Sequence, residues 1–198
     1  MLQILLPVIA YLIGSISSAI LVCRIMGLPD PRSTGSNNPG ATNVLRIGGK
    51  KAAILTLLGD VLKGIIPVVI AKSLNLSPVI IALVGVCAFL GHLYPIFFGF
   101  KGGKGVATAV GVFIGLNGLL ALMLFGVWLV VAAVFRYSSL AALTTAAIAP
   151  VIIFLIFPST PYFLLALVIA VLLFIRHKEN IKRLLAGEES KINLKKKA

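Results

Sequence analysis

Six apolar stretches, beginning at Leu2, Ala52, Ser77, Leu119, Ser139 and Pro161, each approach the roughly 20 residues that carry a helix across a bilayer. Few folds are open to such a chain. In hydrocarbon every backbone N–H and C=O must find its partner within the protein, which leaves helices and closed barrels. Continuous apolar runs of this length, without polar alternation, read as helices. Composition agrees: 60% of the 198 residues are hydrophobic and 12% charged, with mean hydropathy +1.11, whereas soluble domains average about 45–50% apolar and about 25% charged. The expected fold is an all-α integral membrane protein, with residues 1–198 forming a single membrane-embedded domain.

Helices are expected near 2–24, 52–71, 77–97, 105–117, 119–135, 138–157 and 161–176, seven in all. The fourth is too short to cross a hydrocarbon layer of about 30 Å, and Asn117-Gly118 is expected to turn the chain after it. Residues 1–23 lack a basic leading segment and Arg24 follows the apolar run, so the first helix reads as retained, not as a cleaved signal. All Lys and Arg residues except Lys63 and Lys72 fall on one side of this arrangement. The positive-inside rule makes that side cytoplasmic, with the N-terminus outside and the C-terminus inside. Residues 177–198 form a basic cytoplasmic extension of the last helix, ending in Lys195, Lys196 and Lys197.

The net charge of +13 does not indicate nucleic acid, because the basic residues sit at helix ends with no soluble module to present them. It suits anionic headgroups and an anionic substrate. Cys23 and Cys87 lie inside apolar segments without metal-type spacing, so they read as buried thiols. The five acids are too few and too scattered for an aspartate-rich two-metal centre. No metal and no other cofactor is expected, and nothing calls for an obligate protein partner. No G-x-S-x-G elbow is present.

Four polar segments stand out. From Arg32 to Arg46 the chain is dense in glycine, hydroxyls and amides; Ser36, Asn38, Thr42, Asn43 and Arg46 offer donors to phosphate or hydroxyl groups, and Gly35 lets a ligand approach the backbone. The alternative there is a polar turn between helices. Phe100-Lys-Gly-Gly-Lys-Gly-Val-Ala-Thr108 places Lys101, Gly102, Gly103, Lys104 and Gly105 just before a helix, the outline of an anion site. It is not a Walker A loop, being one residue short and lacking the Ser/Thr. At the last helix, His177 and Asn180 stand at i and i+3 on one face. Asp60 and Lys63, also i and i+3, put charge within an apolar segment; they either neutralise each other or mark function.

Three motifs, Gly35-Ser-Asn-Asn-Pro-Gly-Ala-Thr-Asn43, Gly91-His-Leu-Tyr-Pro95 running into Lys101-Gly-Gly-Lys-Gly-Val-Ala-Thr108, and Arg176-His177 with Asn180-Ile-Lys-Arg183 and Glu189, together resemble the bacterial acyl-phosphate:glycerol-3-phosphate acyltransferases. The resemblance covers nearly the whole chain in order and spacing. It departs at Asn37, where the family usually has Gly; Asn tolerates a left-handed backbone better than most residues, so the turn is expected to survive.

The resemblance implies transfer of a fatty acyl group from acyl phosphate to the 1-hydroxyl of glycerol 3-phosphate. The products are lysophosphatidic acid and phosphate, in the first acylation of phospholipid synthesis. It also implies residence in the bacterial cytoplasmic (inner) membrane, among membrane lipid, with the active site facing the cytoplasm. Catalytic candidates are then His177, Asn180 and Ser36. Candidates for binding substrate and phosphate are Gly35, Asn38, Thr42, Asn43, Arg46, Lys101, Gly102, Gly103, Lys104, Gly105, Thr108 and Glu189. Which cluster holds which phosphate, and whether His177 or a substrate phosphate takes the hydroxyl proton, stay open. A transporter of a phosphorylated solute is the rival from another class, but it predicts inverted repeats and polar groups at the bilayer midplane. Here the polar groups crowd one end of the helices.

Overall fold

The computed structural model describes residues 1–192, so the expected lysines at 195–197 lie outside the described residues. The described chain is helical and without strands: α1 (Leu2–Gly14), α2 (Ser18–Ile25), α3 (Ala41–Ser73), α4 (Pro78–Leu93), a 3₁₀ turn (Ile96–Phe98), α5 (Val106–Leu116), α6 (Gly118–Phe135), α7 (Ser138–Ile156), α8 (Thr160–Arg176) and α9 (Lys178–Leu185). Each of the seven expected segments is occupied by helix. Four stretches are long and apolar enough to cross a membrane alone: Ala41–Ser73, Pro78–Phe98, Gly118–Phe135 and Ser138–Ile156. Two bent pairs, α1 with α2 and α8 with α9, can each make a further span. At 11 residues, α5 is about 16 Å long at 1.5 Å per residue, roughly half the hydrocarbon thickness.

Three boundaries differ from the sequence expectation, each for a local reason. The first segment is two helices inclined by 42°, broken at residues 15–17. A carbonyl released by that break, on Ile16, accepts a hydrogen bond from the buried Lys63 ammonium at 2.8 Å. The second starts at Ala41, well before residue 52: residues 41–48 are already helical, and Gly49, at φ 73° and ψ −172°, joins them to the rest through a kink. Only glycine enters that backbone region readily. The last helix does not continue straight past Arg176; α9 leaves α8 at 63°.

The chain folds as two compact units, Met1–Gly118 and the remainder from Leu119. In the first, α3 packs on α4 and α5, and α1 on α4. Small residues let these helices close on one another, as membrane helices require without a hydrophobic drive between them: Gly14 of α1 lies against the Ala88 backbone, and Gly111 of α5 against Val61 and Gly64 of α3. Val68, Val84, Phe89, Leu93 and Val112 are buried among them, and Val44 clusters with Ala19 and Cys23 of α2 and with Ala52. In the second, α7 packs on α8, with Ala149, Ile153, Leu165 and Ile169 buried, and α9 contacts both. Leu58, Leu62, Val130, Phe154 and Leu155 are exposed, as lipid-facing side chains are.

Candidate functional site

In the first unit two loops meet at one end of the helices. The loop before α3 is shaped by its own polar groups. Arg32 grips Asp30 with two nitrogens, Nε to Oδ1 at 3.0 Å and Nη2 to Oδ2 at 2.7 Å, a fork geometry suited to carboxylate. The hydrogen bonds from Arg32 hold the Asp30 carboxyl below its ordinary pKa. The same guanidinium reaches the Phe98 carbonyl at 3.4 Å, tying this loop to the 3₁₀ turn.

Asn43, 1% exposed in the first turns of α3, organises the rest. Its Oδ1 accepts from the Ser36 backbone N–H at 2.8 Å, and its Nδ2 donates to the Pro31 and Thr34 carbonyls, each at 2.9 Å. A buried amide satisfied this way costs little and fixes three backbone positions. Asn37, the departure from the family pattern, takes φ 55°, so asparagine fills the left-handed position. Gly35, Ser36, Thr42 and Arg46 are exposed on this scaffold, and Asn38 is half-buried.

The second loop, residues 99–105, leads into α5. Gly105 stands at φ 90°, with Phe89 and Leu93 packed where a side chain would go. Gly102 and Gly103 are buried; Lys104 is half-buried and Lys101 exposed. The N–H of Gly103 donates to the His92 carbonyl at 3.2 Å. Beyond Gly105 the first-turn N–H groups of α5 lack helical acceptors, as at any helix start, and their partial positive charge adds to that of the lysines. Thr108, in that turn, is fully buried. Behind the loop, Asp60 and Lys63 form an ion pair at 2.8 Å with side chains 3% and 6% exposed, and His92 Nδ1 lies 3.6 Å from the same Asp60 oxygen.

In the second unit the bend between α8 and α9 falls at His177, which is 3% exposed. Its Nδ1 is 2.8 Å from the Leu173 carbonyl. A carbonyl only accepts, so Nδ1 carries the hydrogen and Nε2 is the basic nitrogen of the neutral ring. Asn180 follows on α9, its Nδ2 donating to Glu189 Oε1 at 2.6 Å. Ser139 Oγ donates to that oxygen at 2.7 Å, and Arg183 Nε to Oε2 at 2.7 Å. Burial pushes the Glu189 carboxyl up, but hydrogen bonds from Asn180, Ser139 and Arg183 outweigh it and hold the group below its ordinary pKa. The tail is strapped down beyond this point: Ile192 N–H donates to the Arg136 carbonyl at 2.6 Å, and the Arg136 guanidinium to the Ile192 carbonyl at 3.0 Å.

The structure thus brings Arg32 to the 3₁₀ turn and Pro39 beside Gly103 of the glycine–lysine loop, and groups His177, Asn180 and Glu189 around one bend. The sequence marked His92 only as part of the Gly91–Pro95 motif and did not single out Asp30, Ser139 or Arg136. The Asp30–Arg32 spacing was a usable signal; Ser139 and Glu189 are 50 positions apart and only the fold joins them. Among the described residues no group of three or more His, Cys, Asp or Glu side chains is placed to hold a metal ion.

Apolar helices carrying polar, glycine-rich loops at their ends define an integral membrane protein with its chemistry at the helix termini. The sequence model described as Glycerol-3-phosphate acyltransferase matches residues 4–187. A glycerol-3-phosphate acyltransferase of Thioalkalivibrio sulfidiphilus is 57% identical over 188 residues, 95% of this chain and 93% of that protein. One from Methylococcus capsulatus is 57% identical over 187 residues, 94% of each. The crystal structure of PlsY (YgiH), an integral membrane glycerol 3-phosphate acyltransferase, in its glycerol 3-phosphate form is similar at TM-score 0.92 and 43% identity over 96% of each chain. Its lysophosphatidic acid form is similar at TM-score 0.89 and 42% identity, over 96% of this chain and 95% of that one. The chain belongs to the glycerol-3-phosphate acyltransferase family and is an acyltransferase enzyme.

Proposed function

We propose that this protein transfers a fatty acyl group from acyl phosphate to the 1-hydroxyl of glycerol 3-phosphate, releasing lysophosphatidic acid and phosphate. The observation behind this reading is the meeting of two loops, one of exposed hydroxyl, amide and guanidinium donors and one of glycines and lysines, on a body of membrane helices. Both substrates bear phosphate while the acyl chain and product belong in lipid, so donors at a helix-end surface suit both. The excess of basic residues on that side supports a cytoplasmic site in the bacterial inner membrane.

Lys101, Lys104, Gly102, Gly103, Gly105 and the start of α5 receive one substrate phosphate, and Thr108, fully buried, acts from behind that turn. Ser36, Asn38, Thr42 and Arg46 donate to the substrates from the neighbouring loop, where Gly35 lets them come close, and Asn43 acts one step behind by fixing the backbone at Ser36. Acyl phosphate is a mixed anhydride with a good leaving group, so positioning and stabilisation of the developing oxyanion suffice, without a covalent acyl-enzyme. In the second unit His177 is a residue whose loss is expected to lower acyltransfer. Asn180, held by Glu189, is proposed to be needed alongside His177.

Purified protein incubated with palmitoyl phosphate and radiolabelled glycerol 3-phosphate, without acyl-CoA, acyl carrier protein, ATP or metal, tests the reaction. Labelled lysophosphatidic acid, reduced in Lys104→Ala and His177→Ala, is the expected result. Activity unimpaired in both variants would overturn the residue roles. No product from folded protein would overturn the reaction and direct attention to solute uptake in proteoliposomes.

A further inference from the structure

We propose that His92 is a positioning residue that sets the glycine–lysine loop, and that Asp60 orients its ring; this rests on the loop's proposed role in holding a substrate phosphate. His92 closes α4, on the core side of residues 99–105, and is 7% exposed. It meets the loop twice. Its carbonyl accepts the Gly103 N–H at 3.2 Å, and its ring Nε2 occupies the space where a side chain on Gly103 would extend. A methyl group at Gly103 would also come within 3.1 Å of the Pro39 carbonyl, so ring, glycine and the preceding loop meet at this point.

On its other edge the ring turns Nδ1 toward Asp60 Oδ1 at 3.6 Å, longer than a hydrogen bond but close enough for a buried carboxylate to align an N–H dipole. Asp60 has a closer partner than His92. Lys63 pairs with it at 2.8 Å, and the Lys63 ammonium also donates to the Ile16 carbonyl. What the imidazole adds is a rigid spacer of fixed orientation between a carboxylate on α3 and the backbone of Gly103. Lys104 follows that glycine directly, so a shift of the ring is transmitted to a residue that carries charge to the substrate. A misplacement of about 1 Å at such a group costs on the order of a hundredfold in rate.

The test uses His92→Asn, which keeps an N–H near the Nδ1 position, and His92→Gln, which keeps one near Nε2, alone and combined with Lys104→Ala, in the full-length protein in detergent. Amide hydrogen exchange over residues 99–105 reads the loop independently of activity, and steady-state kinetics are recorded for both substrates. We expect faster exchange at Gly102 to Gly105 in both His92 variants. We expect KM to rise about tenfold or more for the one substrate whose KM also rises in Lys104→Ala, and little further loss on adding either His92 change to Lys104→Ala. A merely structural role would instead lower the rate for both substrates without changing KM, and its loss would multiply with that of Lys104→Ala; this result overturns the proposal. Unchanged exchange at 99–105 also overturns it. Absence of acylation by the wild type would refute the functional reading, and the exchange data alone would then decide the role of His92.

Discussion

Asn180 Nδ2 lies 2.6 Å from Glu189 Oε1, the same oxygen that takes the Ser139 hydroxyl at 2.7 Å. The carboxylate thus decides which way the Asn180 amide faces. Hydrogen bonds to a charged acceptor contribute about 1.5–3 kcal/mol, and each 1.36 kcal/mol lost from the transition state is about tenfold in rate. Glu189→Gln, which replaces one acceptor oxygen by a donor among three donors, is expected to lower kcat/KM by roughly ten- to a hundredfold. Ser139→Ala leaves the other two donors in place and is expected to cost less. Initial rates with both substrates varied check the order.

The same carboxyl links stability to acidity. Its folded pKa is depressed below the ordinary 4.5, so the folded state binds fewer protons than the unfolded chain. The stabilisation is fully present above 4.5 and is lost as pH falls through the lower folded value. Thermal unfolding midpoints in detergent should therefore be level from about pH 8 to 5.5 and drop below about pH 4.5. Asp30, depressed by Arg32, works in the same direction. In Glu189→Gln the drop should be smaller; an equal drop would show that the carboxyl contributes nothing.

Asn43 allows a sharper comparison. Asn43→Ala removes three hydrogen bonds and leaves the Ser36 N–H and the Pro31 and Thr34 carbonyls without their partner, at about 1 kcal/mol each. Asn43→Asp keeps the acceptor for Ser36 but loses both donors and brings a buried charge toward two carbonyls, so it should be the worse variant despite being nearly isosteric. Thermal stability and KM measured together check this: both variants should lose stability, and KM should rise because Ser36 is displaced.

Gly99 and Gly103 separate backbone strain from collision. At Gly99, with φ 63° and open space around the missing side chain, alanine should cost only the left-handed penalty of about 1–2 kcal/mol in stability, with activity kept. At Gly103 alanine drives a methyl group into the His92 ring and toward the Pro39 carbonyl, displacing Lys104. Acyltransfer should fall about a hundredfold or more. Comparable activity in the two variants would refute the idea that the loop is fixed from behind.

The helices were legible because lipid leaves the backbone no other way to pair its polar groups; all seven apolar segments contain helix where the runs of Leu, Ile, Val and Ala stand. Their ends were not legible. The break after Gly14 leaves the Ile16 carbonyl to Lys63, 47 residues further on, and the early start of α3 depends on Gly49 accepting a backbone that polar residues before it conceal. The glycine–lysine loop could be read as an anion site from local chemistry alone. His92 stands in the motif that runs into the loop, yet its place beside Asp60 of α3, like the support of Glu189 by Ser139, is a consequence of packing between distant segments, for which no local pattern exists.

The Asp60–Lys63 pair, visible as an i,i+3 spacing, is where removal of one partner and of both should diverge most. With side chains 3% and 6% exposed, neither charge has water to fall back on. Lys63→Met leaves a buried carboxylate and also strips the Ile16 carbonyl of its donor; breaking a buried pair in this way costs about 3–5 kcal/mol. Asp60→Asn leaves the ammonium, which retains Ile16, and should cost somewhat less. The double variant Asp60→Asn/Lys63→Met buries no net charge and should recover much of the loss, as neutral replacement of buried pairs often does. Unfolding of all three in detergent measures the coupling. If the double variant is as unstable as the sum of the singles, the two charges are not coupled and Lys63 acts through the α1–α2 break alone.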